Sequence, residues 1–185
     1  MNYILNSSPI TYLVLGALSI YLIAIFWIFI YRLLYIRKWT SLESASLQKM
    51  LMGGSEISQN SKLFGCVNTN GNLNTQMLSA CKNATLKDAT NGLSFISIVA
   101  STAPFIGLFG TVVSILETFA SFADSAKISF NYLAPAIGEA LVATAAGILV
   151  AIFAYTFHQI LKREVYKLNY AIQTQIDLLL SKKGS

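Results

Sequence analysis

The chain has 185 residues, 55% of them hydrophobic and only 11% charged, against roughly 25% charged in an ordinary soluble domain. So few charges cannot cover the surface of a soluble globule, which excludes a disordered tail, a disulfide scaffold and most water-soluble enzymes. The net charge of +5 must first be placed relative to a membrane, and no nucleic-acid partner is expected.

Residues 1–9 carry no cation and are followed by the uncharged run Ile10 to Tyr31, ended by Arg32. About 20 apolar residues cross a bilayer, so 10–31 is read as the first transmembrane helix. The run is longer than the ~7–15 residue core of a signal peptide and has no basic start, so it is expected to remain in the mature protein. It is bulky and apolar all round, with Gly16 and Ala17 the main exceptions, as suits an anchor facing lipid on most sides.

Residues 32–92 lie between the first two spans, and within them Thr40–Asp88 is the one sizeable water-exposed segment. Tyr31, Tyr35 and Trp39 cluster like an interfacial aromatic belt. Leu42, Ala45, Met50 and Leu51 predict a short amphipathic helix broken at Gly53-Gly54. Ser55–Asn74, rich in Ser, Asn and Gly, reads as loop, and helical pattern resumes near Thr75 and runs into the second span. Cys66 and Cys81 are too few for a framework and fall on a reducing side without a catalytic partner.

The second span covers 93–122, a short loop 123–131, the third span 132–161 and a tail 162–185. In the tail Val165, Leu168, Ile172, Ile176 and Leu179 recur at helical spacing and predict that the third helix continues with one apolar face. Ala100, Ala103, Gly107, Gly110 and Ser114 form a small-residue stripe on span two. Ala136, Ala140, Ala143, Gly147, Ala151 and Ala154 form another on span three. Such stripes let membrane helices approach closely. Intrachain packing of the two spans is the simplest use of them. Thr144, Ala145 and Ala146 lie off the span-three stripe, however, and small residues on a second face predict a homo-oligomer packed around an axis.

Glu139 lies about two turns into span three, where a carboxylate facing lipid would be costly. It is therefore the leading candidate for a proton-handling group. Thr144 and Thr111 lie near mid-membrane, where hydroxyls relay hydrogen bonds or simply bond their own i−4 carbonyls. Glu117, near the outer end of span two, is a candidate pore-mouth carboxylate. Pro104 falls inside span two and Pro135 near the start of span three. His158 sits at the inner end of span three beside Lys162 and Arg163, away from any nucleophile, so no enzyme is expected. No P-loop, dinucleotide fingerprint or metal-ligand cluster is present, and neither cofactor nor metal is expected.

Seven cations fall between Arg32 and Lys87 and five in the tail, while the loop between spans two and three holds only Lys127. Twelve of thirteen cations thus lie on one side, which is read as cytoplasmic, with the N-terminus and the 123–131 loop facing out.

Asn91-Gly92-Leu93, then IVASTAPFIGLFGTVVSI (Ile98–Ile115) and PAIGEALVATAAGILVAI (Pro135–Ile152), resemble the ExbB/TolQ/MotA proton-channel family, most of all its ExbB and TolQ branches. The usual G-T-V-W-G pattern is G-T-V-V-S here. The resemblance implies an all-α inner-membrane protein whose outer side is the periplasm, a pentamer around a central cavity, with a single-span ExbD/TolR-like partner. It also implies proton-motive-force-driven work at the outer membrane through a TonB- or TolA-like protein. Glu139, Thr144 and Thr111 match the family's pathway positions. Gly107, Gly110, Ala140, Ala143 and Gly147 are the helix-packing residues. A partner-free cation channel and a scaffold that only stabilises its partner are the alternatives.

Overall fold

The computed structural model describes residues 9–52, 59, 61–68, 75–123 and 130–183. The expectations for the N-terminal segment, most of the 123–131 loop and much of Ser55–Asn74 therefore lie outside the described residues. The described chain is helical: α1 (Pro9–Leu51), α2 (Lys62–Asn68), α3 (Thr75–Thr90), α4 (Leu93–Ala123) and α5 (Phe130–Lys183). Three of these, α1, α4 and α5, are long and apolar enough to cross a membrane.

The helices belong to two units. The first, Met1–Trp27 with Phe95–His158, is a membrane unit. Its α1 portion buries one stripe, Thr11, Val14, Leu18 and Ile25, while Leu13, Ile20, Ile23 and Trp27 stay exposed. One buried stripe on an otherwise exposed apolar helix is what a peripheral membrane helix presents. Tyr21 meets Phe95 edge to face at 6.4 Å, and Phe26 meets Phe157 at 4.8 Å and Phe153 at 5.7 Å. Val14 packs on Gly110 and Tyr21 on Phe95, so α1 and α4 run antiparallel.

The second unit, Ile28–Ser94 with Gln159–Ser185, is built on α2, α3 and the later turns of α1 and α5. Ile36, Leu63, Leu78, Ala89, Leu161, Leu168, Ile172 and Ile176 are buried in it. On α5, Leu168, Ile172, Ile176 and Leu179 are buried, as their spacing predicts, and Val165 is half-buried.

Four local expectations change. Residues 40–51 are the continuation of α1, not a separate helix, because nothing in Tyr31–Leu51 breaks helical geometry. Lys62–Asn68 forms α2 within the stretch read as loop. Ser61 caps it, its hydroxyl accepting the Leu63 N–H at 3.1 Å. The helix begun at Thr75 stops at Thr90 instead of running into span two. Gly92 holds a φ of 85° there, a left-handed conformation that favours glycine, and a Cβ would also crowd Ile28 Cγ2 at 3.3 Å. Finally, Cys81 on α3 is disulfide-bonded, where the sequence reading expected a free thiol. The side chain of Cys66 lies outside the described residues. α2 packs on α3, a proximity that sequence spacing does not announce.

Candidate functional site

In the membrane unit, α4 and α5 meet through glycine. A Cβ on Gly107 would lie 2.7 Å from the Ala143 carbonyl oxygen, and one on Gly147 would lie 2.6 Å from that of Ala103. Both distances are below any tolerable contact, so the helices touch backbone to backbone and run antiparallel. Gly110 meets Ala143 on one side and Val14 on the other. Ala140, Ala143, Ala151 and Ala154 are buried as well. The small stripes of spans two and three are thus consumed within one chain, whereas Ala145 is exposed and Ala146 half-buried.

Close approach decides what the threonines do. Thr111 has its own i−4 carbonyl, Gly107, at 3.2 Å, but the Ala140 carbonyl of α5 is equally near, and the Thr111 and Thr144 hydroxyls bond each other. Thr144 reaches the Gly107 carbonyl of α4 at 3.3 Å. The local bond to the preceding turn is therefore shared with bonds between helices. Two hydroxyls and two carbonyl oxygens thus gather at one point of the helix pair. A hydroxyl both donates and accepts, so reversing its rotor can pass a hydrogen bond along the pair.

Glu139 adjoins this cluster in sequence, next to Ala140 and five residues before Thr144, or about 7.5 Å along the helix. Its side chain is half-buried, and its Oε1 is buried with no hydrogen-bond partner among the described residues. A buried carboxylate oxygen without a donor is costly, and such groups call for a functional explanation. Glu117 lies six residues beyond Thr111 on α4 and is half-buried. His158 is half-buried and forms no hydrogen bond or ion pair among the described residues. Among those residues no group of three or more His, Cys, Asp or Glu side chains could hold a metal.

A second polar assembly, unforeseen from sequence, occupies the other unit. Arg32, read as the residue ending span one, is nearly buried, and its guanidinium donates to the Asp88 and Asn91 carbonyls at 2.6 and 2.5 Å. It thus caps the end of α3, where a cation also suits the helix dipole. Tyr35 donates to Asp88 at 2.5 Å. The Lys62 ammonium bonds both the Tyr35 hydroxyl and Asp88, and lies 4.6 Å from the Trp39 ring. Two of the three residues read as an aromatic belt, Tyr35 and Trp39, thus flank a lysine. Burial pulls the Lys62 ammonium down, but the bonds to Tyr35 and Asp88 outweigh it and hold the group above its ordinary 10.5. The Tyr35 and Lys62 hydrogen bonds hold Asp88 below its ordinary 3.8.

Deeper in this unit, Glu43 is fully buried. It accepts from the Ser61 hydroxyl and the Lys62 N–H at 2.8 Å and from the Gln175 amide at 3.0 Å. Gln175 also donates to the Glu43 carbonyl at 2.9 Å and accepts from Ser46 at 3.2 Å. The one available signal was an acid and a glutamine lying on otherwise apolar helix faces.

Membrane-length helices in glycine-mediated contact, with a hydroxyl pair between two of them and a carboxylate five residues away whose Oε1 has no partner among the described residues, define a polytopic membrane protein. Comparison with known proteins makes the class specific. Residues 55–174 match the MotA/TolQ/ExbB proton channel family, and the chain belongs to that family. It is 43% identical over 183 residues to the Helicobacter pylori protein named biopolymer transport protein ExbB-like 1, covering 98% of this chain and 97% of that one. It is 35% identical over 99 residues to biopolymer transport protein ExbB of Pseudomonas putida, covering 52% of this chain and 30% of the relative. It is 37% identical over 75 residues to Tol-Pal system protein TolQ of Haemophilus influenzae, covering 40% of this chain and 33% of that protein.

Proposed function

We propose that the protein is the channel-forming subunit of a proton-motive-force-driven motor in the bacterial inner membrane. It works with an ExbD/TolR-like single-span partner to energise a TonB- or TolA-like protein acting at the outer membrane. The observation that carries the reading is the Thr111–Thr144 hydroxyl pair, on a helix that five residues before Thr144 carries Glu139, whose buried Oε1 has no hydrogen-bond partner among the described residues. Glu139 would keep a conducting cavity polar and cation-favouring, and the threonines would hand protons on. Five copies around a central cavity, the exposed side of α5 contributing Ala145, are the arrangement that family membership favours. The distribution of cations supports a periplasmic N-terminus and a cytoplasmic C-terminus. The protein would act by conduction and not as an enzyme. Moving one charge across 100 mV releases ~2.3 kcal/mol, so a large work step needs several protons.

Isosteric replacement tests this. Glu139→Gln keeps volume and hydrogen-bonding reach without charge, and Thr144→Val keeps shape without a hydroxyl. Both variants should assemble with the partner, measured by pull-down, yet lose energy-dependent uptake or envelope integrity in the same cells. A scaffold predicts wild-type function from both, and that result would defeat the reading. A partner-free channel predicts conductance from the purified homo-oligomer alone.

A further inference from the structure

α2 is a seven-residue helix, Lys62–Asn68, well short of the ~12–15 residues at which an isolated helix becomes even marginally stable. Its position therefore depends on what fastens it. At its start, the Ser61 hydroxyl and the Lys62 N–H donate to Glu43 at 2.8 Å. The Lys62 ammonium donates to Tyr35 at 2.9 Å and to Asp88 at 3.1 Å. Among its described side chains only Leu63 is buried.

α2 also packs on α3, and α3 carries Cys81, which is disulfide-bonded and half-buried. The chain has two cysteines, and the other, Cys66, belongs to α2, 15 positions earlier. Both lie in the unit that carries twelve of the thirteen cations, which the topology proposed above makes cytoplasmic. In that reducing compartment the disulfides that form are usually transient and redox-sensing. A half-buried cysteine is also open to attack by a small thiol, unlike the shielded bridges that resist reduction.

We propose that Cys66 and Cys81 form a reversible redox site, closed by low-molecular-weight disulfides and opened by the corresponding thiols, that fastens α2 to α3. Closing takes two exchanges. The Cys81 thiolate attacks a small disulfide RSSR, forms a mixed disulfide and releases one RS⁻. The Cys66 thiolate then displaces the second RS⁻. The protein dithiol is thereby oxidised by two electrons, RSSR is reduced, and the two protons leave on two RSH. Opening is the reverse. With the bridge open, departure of α2 strips Glu43 of its Ser61 and Lys62 donors and Asp88 of the Lys62 ammonium. The expectation of reduction in cells rests on the proposed topology; the exchange chemistry does not.

The full-length protein in detergent, equilibrated with mixtures of reduced and oxidised glutathione, provides the test. Alkylation with a maleimide polyethylene glycol after acid quenching counts free thiols per chain on a gel. Two should be free under reduced glutathione and none under oxidised glutathione, with full interconversion. Hydrogen exchange of the Lys62–Asn68 amides should be ~10- to 100-fold faster in the reduced protein, the range that closing a 15-residue loop allows. The α3 amides should change far less, because Arg32 and the 2.7 Å Lys82–Gln173 bond also hold that helix. Cys81→Ser should exchange like the reduced wild type.

A bridge that millimolar reduced glutathione leaves intact would overturn the proposal. So would α2 exchange that ignores the bridge, or a disulfide-linked dimer on the same gel. Each of these leaves the motor role and its topology standing. In acid-quenched growing cells both thiols should be free. A bridge that opens in detergent yet stays closed in those cells would overturn this site and the proposed topology together.

Discussion

Where α4 meets α5, Gly107 and Gly147 bring two backbones together with no side chain between them. In the second unit, α1 and α5 are joined by polar side chains, Glu43, Ser46 and Gln175, interlocked in a buried network. The difference follows solvent. Lipid is as apolar as leucine, so membrane helices gain by close fit and by few, short polar contacts. In the described membrane unit the acids are only Glu117 and Glu139. The other unit carries twelve of the thirteen cations and builds specificity from hydrogen bonds, at the cost of burying a carboxylate whose every donor must be in place.

The contrast can be broken first at its strictest point. Gly147→Leu forces a side chain into the Ala103 carbonyl and should cost more than ~3 kcal/mol, seen as loss of folded protein in detergent unfolding. Gly138→Leu, where nothing lies within 4 Å, should unfold like the wild type. Equal damage from both would show that backbone contact is not what holds the unit. Next, Glu43→Ala strands the Ser61 hydroxyl, the Lys62 N–H and the Gln175 amide, for a loss of ~2–4 kcal/mol. Glu43→Gln keeps an acceptor and should cost about half as much. If denaturant midpoints of the two variants coincide, the network does not act through its hydrogen bonds. Arg32→Met leaves the Asp88 and Asn91 carbonyls without their donor and should lower stability by ~1–2 kcal/mol, with Arg32→Lys recovering part of it.

The smallest effect is the pH dependence of the Lys62–Asp88 latch. Asp88 titrates lower in the folded state, so its contribution is complete above its ordinary 3.8 and fades as pH falls through and below that value. Lys62 titrates higher, so its contribution is complete below 10.5 and fades as pH rises past it. Asp88 is half-exposed, so solvent screening keeps the change small. Thermal melts of Asp88→Asn should show a slightly shallower decline on the acid side than those of the wild type.

Hydropathy made the three spans legible, because a bilayer demands runs of a fixed length free of charge. The helical face of the tail was legible for a related reason: Leu168, Ile172 and Ile176 repeat at a period that only a helix turns to one side. Glu139 stood out as a lone acid in such a run. Less was legible wherever a residue's partner is distant in sequence. Arg32, read as the end of span one, also caps α3, and Tyr35 and Trp39, read as interface residues, also hold Lys62. Periodicity also made a separate helix of the segment around Leu42–Leu51, which continues α1, and it fused α3 with α4, because propensity does not register a single left-handed glycine such as Gly92.

The sequence by itself therefore determined that the chain is an all-helical membrane protein, which segments are long enough to cross, and which acid stands anomalously within them. These are properties of consecutive residues and the solvent they require. Only the tertiary structure decided that the small-residue stripes are used within one chain, and that Thr111 and Thr144 bond each other across two helices. It alone decided that Glu43 belongs to a buried network with Gln175. Each depends on residues some 30 to 130 positions apart meeting at hydrogen-bond distance, which helical periodicity constrains to a face but never to a partner.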